Sequence, residues 1–252
     1  GNLRMHPTFL FDLDQTLLDF HASERKALEI ISNKYGLNYS EESYLHFMEY
    51  NKSLWLKLEK GIISRTELFK KRFEDFLNLF GKNSLNLDPL KINDDFILTM
   101  SQNGVLMDGA LDFIKRLKND VNDCRIYIVS NGAVVNAKGR IKSTGLDKFL
   151  DGIFVSEAMG VTKPSAKFFE IVLKEIGEPK ESCIVIGDSL SSDMAGAQNA
   201  SLKSVWFIPH KSEIPDLENE IKKYEIDYCA ETFDELYGIL KKWGEDRIGR
   251  IF

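Results

Sequence analysis

Thr8-Phe9-Leu10-Phe11-Asp12-Leu13-Asp14-Gln15-Thr16 joins a short apolar run to two carboxylates spaced i and i+2. An apolar run of this length without polar alternation is the pattern of a strand buried on both faces, as in a parallel sheet. Similar runs, rich in β-branched and aromatic residues, recur at 125–130, 152–155, 183–187 and 204–208. Helical stretches fall between them near 110–119, 134–144, 165–176 and 191–200, and the third is opened by Pro164 and Ser165 and closed by Gly177. A last helix is expected near 233–243. Strand–helix–strand repetition from residue 105 onward predicts an α/β fold, a doubly wound, mainly parallel, Rossmann-like sheet.

Residues 20–105 have a different texture, with no strand-like run and the periodicity of three or four amphipathic helices. Tyr44, Met48, Asn51, Trp55 and Leu58 fall on one helix face. Phe69, Phe73, Phe76 and Phe80 repeat the pattern, opened by a capping box of Ser64 with Glu67 and stopped by Gly81. The expected organisation is a core domain made of residues 1–19 and 105–252, interrupted by a small all-helical cap domain over 20–104. Two crossings would connect them, enough for the helical part to swing as a lid.

The 252 residues are 43% hydrophobic and 29% charged, an ordinary globular balance that excludes a disordered tail, a collagen-like repeat or a disulfide-stapled miniprotein. Thirty-nine acids against 33 bases give a net charge of −6, which argues against a nucleic-acid polymer as partner but leaves room for a small phosphorylated one. Cys124, Cys183 and Cys229 are odd in number and far apart, as free thiols in a reducing compartment are. No apolar run is long enough for a membrane and no signal peptide is visible, so a cytoplasmic monomer or homodimer is expected. Gly1 is read as a remnant of expression rather than a natural start.

Ligands of parallel α/β sheets collect at the carboxyl ends of strands. Asp12 and Asp14 stand just past such an end. Two carboxylates aimed at one place repel unless a cation compensates, so the pair asks for Mg²⁺ or a similar ion. A calcium EF-hand loop is excluded, because Leu17 stands where that loop needs glycine and Ser23 where it needs glutamate. The second strand ends at Ser130-Asn131-Gly132, a hydroxyl and turn amides suited to phosphate oxygens. Lys163 precedes Pro164 at the mouth of a helix, and the fourth strand runs into Gly187-Asp188 with Asp193 five residues on. Each taken alone is a turn, a surface lysine or a helix cap. Their convergence on one sheet edge is the informative observation.

The order Asp12-x-Asp14-x-Thr16, Ser130, Lys163-Pro164 and Gly187-Asp188-x4-Asp193 resembles the haloacid dehalogenase-like hydrolase superfamily over residues 8 to about 240. The resemblance implies a Mg²⁺-dependent phosphomonoesterase. In that reading Asp12 is the nucleophile and Asp14 the general acid and base. Asp12, the carbonyl of Asp14, Asp188 and Asp193 hold the metal, while Ser130, the Leu13 and Asn131 amides and Lys163 bind the phosphoryl oxygens. Thr16 is assigned to ordering the Asp12 loop. Dehalogenases of the superfamily lack the second acid, so Asp14 favours phosphoryl transfer. The alternatives are a sugar-phosphate or phosphoglycolate phosphatase, a phosphomutase, or a non-catalytic module that binds a phosphorylated ligand. Gly187-Asp188-Ser189-Leu190 also spells a GDSL esterase block, but that reading lacks its later Asp-x-x-His: three residues before His210 stands Phe207.

The segment Tyr50 to Gly61 with Arg72-Phe73-Glu74, and the flank Leu17-Leu18-Asp19-Phe20, resemble bacterial nucleoside 5′-monophosphatases acting on pyrimidine nucleotides. That likeness makes a nucleoside monophosphate the expected substrate. Asn51 and Trp55 could offer a base a hydrogen-bonding edge and a stacking face, and Phe20 a second face, although all three could equally serve the packing of the helical part.

Overall fold

A computed structural model describes residues 5–81 and 86–247, and these separate into two compact units. One unit runs to Asp19 and resumes at Val105. The other is Phe20–Gly104.

The first unit is built on six parallel strands, β1 (Thr8–Phe11), β2 (Arg125–Ser130), β3 (Gly152–Val155), β4 (Cys183–Gly187), β5 (Lys203–Phe207) and β6 (Tyr228–Ala230), in the order β3-β2-β1-β4-β5-β6. The chain moves outward from β1 to one side and then returns to the other, so the direction of winding reverses at β1. A crevice forms at such a point, outside the carboxyl ends. Phe11 is in register with Ile128 of β2 and Ile186 of β4, which places the residues after β1 between the ends of its two neighbours.

Side chains alternate across the strands. Phe9 and Phe11 pack with Ile126, Ile128, Ile184 and Ile186 beneath Phe113, Ile114 and Leu117 of one helix and Leu236, Leu240 and Trp243 of another. Leu10, Val129 and Val185 face the other way, onto Phe168, Phe169 and Val172. Both faces are therefore apolar, which is why the strands carry almost no polar residues. The edge strand β6 was not foreseen: Tyr228-Cys229-Ala230 is too short for its pattern to register.

In the second unit α1 (Phe20–Tyr35) packs on α4 (Pro89–Gln102), α4 on α3 (Arg65–Phe80), and α3 on α2 (Glu41–Glu59). Phe47, Phe73, Phe76 and Phe96 make its centre, with Phe47–Phe96 and Phe73–Phe96 ring centroids 5.4 and 5.3 Å apart. The buried stripe of α2 is Tyr44, Phe47, Asn51 and Leu54, rotated from the expected one: Met48, Trp55 and Leu58 lie on its flank, half-buried. Asn51, Arg72 and Glu24 share the interior of this unit. Arg72 donates to Asn93 Oδ1 (2.7 Å) and Asn51 Oδ1 (3.2 Å), and Asn51 donates to Glu24 (3.4 Å).

In the α/β unit the remaining helices are α5 (Ala110–Asp120), α6 (Val134–Ser143), α7 (Ser156–Met159), α8 (Ala166–Ile176), α9 (Ala195–Asn199), α10 (Leu217–Lys223) and α11 (Phe233–Glu245). Ser165 caps α8 by accepting from Lys167 N, and Gly177 ends it at φ +69°, a left-handed position that suits glycine. Among the described residues no helix is long and apolar enough to cross a membrane.

Candidate active site

β1 delivers Asp12 to the sheet edge, and the Asp12 amide extends the pairing by donating to Ile186 O at 2.8 Å. The chain then turns sharply. Leu13 O accepts from the amides of Leu17 and Leu18, each at 3.0 Å, and Gln15 takes a left-handed φ of 62°. Leu13 itself is fully buried in the core. Thr16, also fully buried, donates its hydroxyl to Asp188 Oδ1 at 3.2 Å and so ties the β1 loop to the β4 loop.

Lys163 enters the same edge from the loop before α8. Its ammonium spends three donors on Asp193 Oδ1 (2.6 Å), Val129 O (2.8 Å) and Asp12 Oδ1 (2.9 Å). Burial works against the charge, but Asp12 and Asp193 outweigh it and hold the lysine above its ordinary range. Asn131 braces it from the backbone side: its amide donates to Lys163 O at 2.9 Å and accepts from Lys163 N at 2.8 Å. Ser130 ends β2 with a buried hydroxyl that accepts from Gly132 N at 3.1 Å.

Gly187 closes β4 because nothing larger fits. A Cβ there would stand 2.3 Å from the Asp193 carboxylate carbon. The chain after Ser189 winds as a wide turn (Leu190–Met194) before α9, and Asp193 is folded back beneath Gly187, its second oxygen accepting from Ser189 N at 3.1 Å. Gly187→Ala should therefore displace Asp193 from Lys163. The expected result is a loss of stability of about 1–3 kcal/mol in denaturant titration, with a parallel loss of activity; wild-type values for both would contradict this geometry.

Asp12, Asp188 and Asp193 present carboxylate oxygens within 4.8 Å of one another. Asp188 is pushed above the usual carboxylate range by burial and then by the charge of Asp12. Asp193 is pushed the same way by the same causes, with Lys163 opposing. One lysine cannot neutralise three clustered carboxylates, and an oxygen-only set of this kind fits a hard divalent cation. Asp188 is further held by its carbonyl, which accepts from Trp206 Nε1 at 2.9 Å. It also borders an open cavity of about 560 Å³ lined by Gln15, Leu190, Trp206, Ile208 and Tyr224 among others, a volume in the range of small-molecule sites.

Asp14 does not join the acidic group. Both of its oxygens are taken by Arg140 of α6, Nη1 to Oδ1 at 2.6 Å and Nη2 to Oδ2 at 3.1 Å. Sequence reading missed Arg140. The available signal was a charge sharing a helix face with Ala137 and Ile141, both buried.

Phe20 opens α1 and Trp55 lies on the flank of α2, where Arg65 sits 5.8 Å from its ring centroid; both belong, with Asn51, to the helical unit.

The family model described as haloacid dehalogenase-like hydrolase matches residues 6–201. The HAD-hydrolase YfnB of Bacillus subtilis is 32% identical over 240 residues, covering 94% of this chain and 97% of YfnB. The crystal structure of YfnB bound to magnesium matches with a TM-score of 0.77 at 30% identity, covering 94% of this chain and 99% of that one. The pyrimidine 5′-nucleotidase PynA of Streptococcus pneumoniae is 34% identical over 205 residues, 81% of this chain and 84% of PynA.

Proposed function

The chain belongs to the haloacid dehalogenase-like hydrolases and is an enzyme, and from that premise we propose that it is a divalent-cation-dependent phosphomonoesterase acting on nucleoside 5′-monophosphates of the pyrimidine type. The observation that carries the reading is the Lys163 ammonium spanning Asp12 and Asp193 beside Asp188, with the second acid, Asp14, two residues from the first.

Asp12 is the nucleophile. A carboxylate nucleophile needs no separate base, and this one is oriented by Lys163. It attacks phosphorus in line, forming the carboxylate–phosphorus bond as the bond to the ester oxygen breaks. Asp14 gives its proton to that departing oxygen and then takes one from the water that attacks phosphorus and frees Asp12. Ser130 and the Leu13 and Asn131 amides are assigned to the phosphoryl oxygens, over which the charge spreads, and so is Lys163, which must release one of its three present acceptors to reach them. Asp12, the carbonyl of Asp14, Asp188 and Asp193 would hold Mg²⁺, which supplies neutralising charge when bound. Asp193 already gives one oxygen to Lys163 and one to Ser189 N, which suits it to steadying the lysine as well.

The narrower substrate assignment draws on the pyrimidine 5′-nucleotidase PynA among the relatives. Phe20 and Trp55 are proposed to select the substrate; Asn51, expected to join them, spends its amide on Arg72 and Glu24 in the interior of the helical unit.

The test is phosphate release across nucleoside monophosphates, sugar phosphates, phosphoglycolate and 4-nitrophenyl phosphate, with Mg²⁺ and with EDTA. Pyrimidine nucleotides should lead the panel and EDTA should abolish release from every substrate. Trp55→Ala should raise KM for the best nucleotide more than KM for 4-nitrophenyl phosphate. A sugar phosphate at the head of the panel would replace the nucleotide assignment, and undiminished turnover in EDTA would remove the cation.

A further inference from the structure

We infer that Arg140 is a positioning residue for the acid–base step, holding Asp14 by a two-pronged ion pair that fixes the direction in which its carboxyl exchanges a proton. The inference rests on the role proposed above for Asp14.

Arg140 is the largest fully buried side chain among the described residues, 1% exposed, on a helix separated from Asp14 by 126 residues of sequence. Burying a guanidinium costs several kcal/mol unless its donors are met with good geometry. Here they are: two donors go to Asp14, and Nε donates to Asn136 Oδ1 at 2.9 Å, one helical turn back. The Asp14 side chain keeps 30% exposure, so the pair has a rigid buried half and an accessible half.

A bond serving only to fasten α6 to the β1 loop would have no reason to select the second acid of the pair. Each carboxylate oxygen has two acceptor sites, so an Asp14 oxygen engaged once by Arg140 can still carry the proton exchanged with the ester oxygen and with water. The two contacts are unequal, Nη1–Oδ1 at 2.6 Å and Nη2–Oδ2 at 3.1 Å, which leaves Oδ2 the more weakly held oxygen. With the carboxyl plane fixed by the fork, the remaining site on Oδ2 is presented in one direction. Asn136 fixes the guanidinium in turn.

The test compares leaving groups in Arg140→Ala, Arg140→Lys, Asn136→Ala and Asp14→Asn. An alkyl ester such as a nucleoside monophosphate needs its departing oxygen protonated, while 4-nitrophenolate does not. Asp14→Asn should lower kcat/KM, which reports the steps through departure of the alcohol, by about 10²-fold or more for the nucleotide and far less for the aryl ester. Its kcat should fall for both, because breakdown of the phosphorylated enzyme lacks its base. Arg140→Ala should show the same asymmetry in kcat/KM, and should add little to Asp14→Asn in the double variant. Arg140→Lys keeps the charge without the fork and should not restore the nucleotide rate. Asn136→Ala, which leaves the ion pair in place, should show a weaker version of the asymmetry and keeps the inference testable if Arg140→Ala fails to fold. Equal losses of kcat/KM for both esters, losses that add to those of Asp14→Asn, or full rescue by lysine would overturn the inference and leave Arg140 a fastening of the fold. If Asp14→Asn itself shows no dependence on the leaving group, the proposed role of Asp14 fails instead.

Discussion

Asp12→Asn should abolish phosphate release from every substrate, by roughly 10³-fold or more in kcat, while leaving the fold intact. The amide preserves the shape of the side chain and can still accept from Lys163, but its oxygen is a poor nucleophile toward phosphorus. Packing at this position comes from elsewhere: Phe11 and Leu13 on either side are fully buried, and the Asp12 amide bond to Ile186 O belongs to the backbone. Circular dichroism and the denaturation midpoint should therefore match wild type. Substantial retained turnover with a pure sample would take the nucleophile's role away from Asp12.

Lys163→Met is expected to lose both activity and stability. Methionine fills a similar volume but leaves Asp193, fully buried, and Asp12 without their cation, and strands the Val129 carbonyl. Breaking one side of a buried ion pair costs about 3–5 kcal/mol. The pH dependence has a definite sign. Burial and Asp12 already raise Asp193 above the usual carboxylate range and Lys163 opposes them, so removing the lysine raises it further. A carboxyl whose folded-state pKa lies above its unfolded value binds more proton in the folded state, so stability falls as pH rises through that pKa. The deficit of the variant, measured by urea titration, should be larger at neutral pH than in mild acid. A pH-independent deficit would mean that the cost is lost packing rather than an orphaned charge.

The α/β architecture was legible because its strands are buried on both faces, and such strands announce themselves as short unbroken apolar runs. β1 to β5 fall where those runs lie, to within a residue or two. β6 escaped because three residues at a sheet edge carry no period. On α2 the large side chains misled the eye. Trp55 and Met48 are bulky but lie beside the buried stripe, while Phe47 and Leu54, one position away, occupy it. A rotation of one residue is about 100° on a helix, enough to exchange a flank for a face.

At the candidate site, position followed from topology: residues just past β1, β2 and β4 meet because those strands are adjacent. Side-chain direction did not follow. Asp12 and Asp14 look equivalent as an i, i+2 pair, yet one turns to Lys163 and the other to Arg140. The alternation that would aim both at one place ends where extended chain ends, and Leu13 O collecting three amides shows that the strand has already turned into a loop. Arg140 was invisible for the complementary reason. A basic residue near the end of a helix is ordinarily solvated, and only the burial of Ala137 and Ile141 on the same face distinguishes this one.

The phosphorylated Asp12 carboxylate, an aspartyl-phosphate, is most directly sought in the Asp14→Asn variant. 4-Nitrophenyl phosphate needs no acid to form it, while its breakdown there lacks a base. A sample quenched in acid during turnover with Mg²⁺ and reduced with borohydride should yield homoserine at position 12 and aspartate everywhere else. Aspartate still intact at position 12, with the phosphoryl group on another side chain or on none while 4-nitrophenolate is released, would contradict the account.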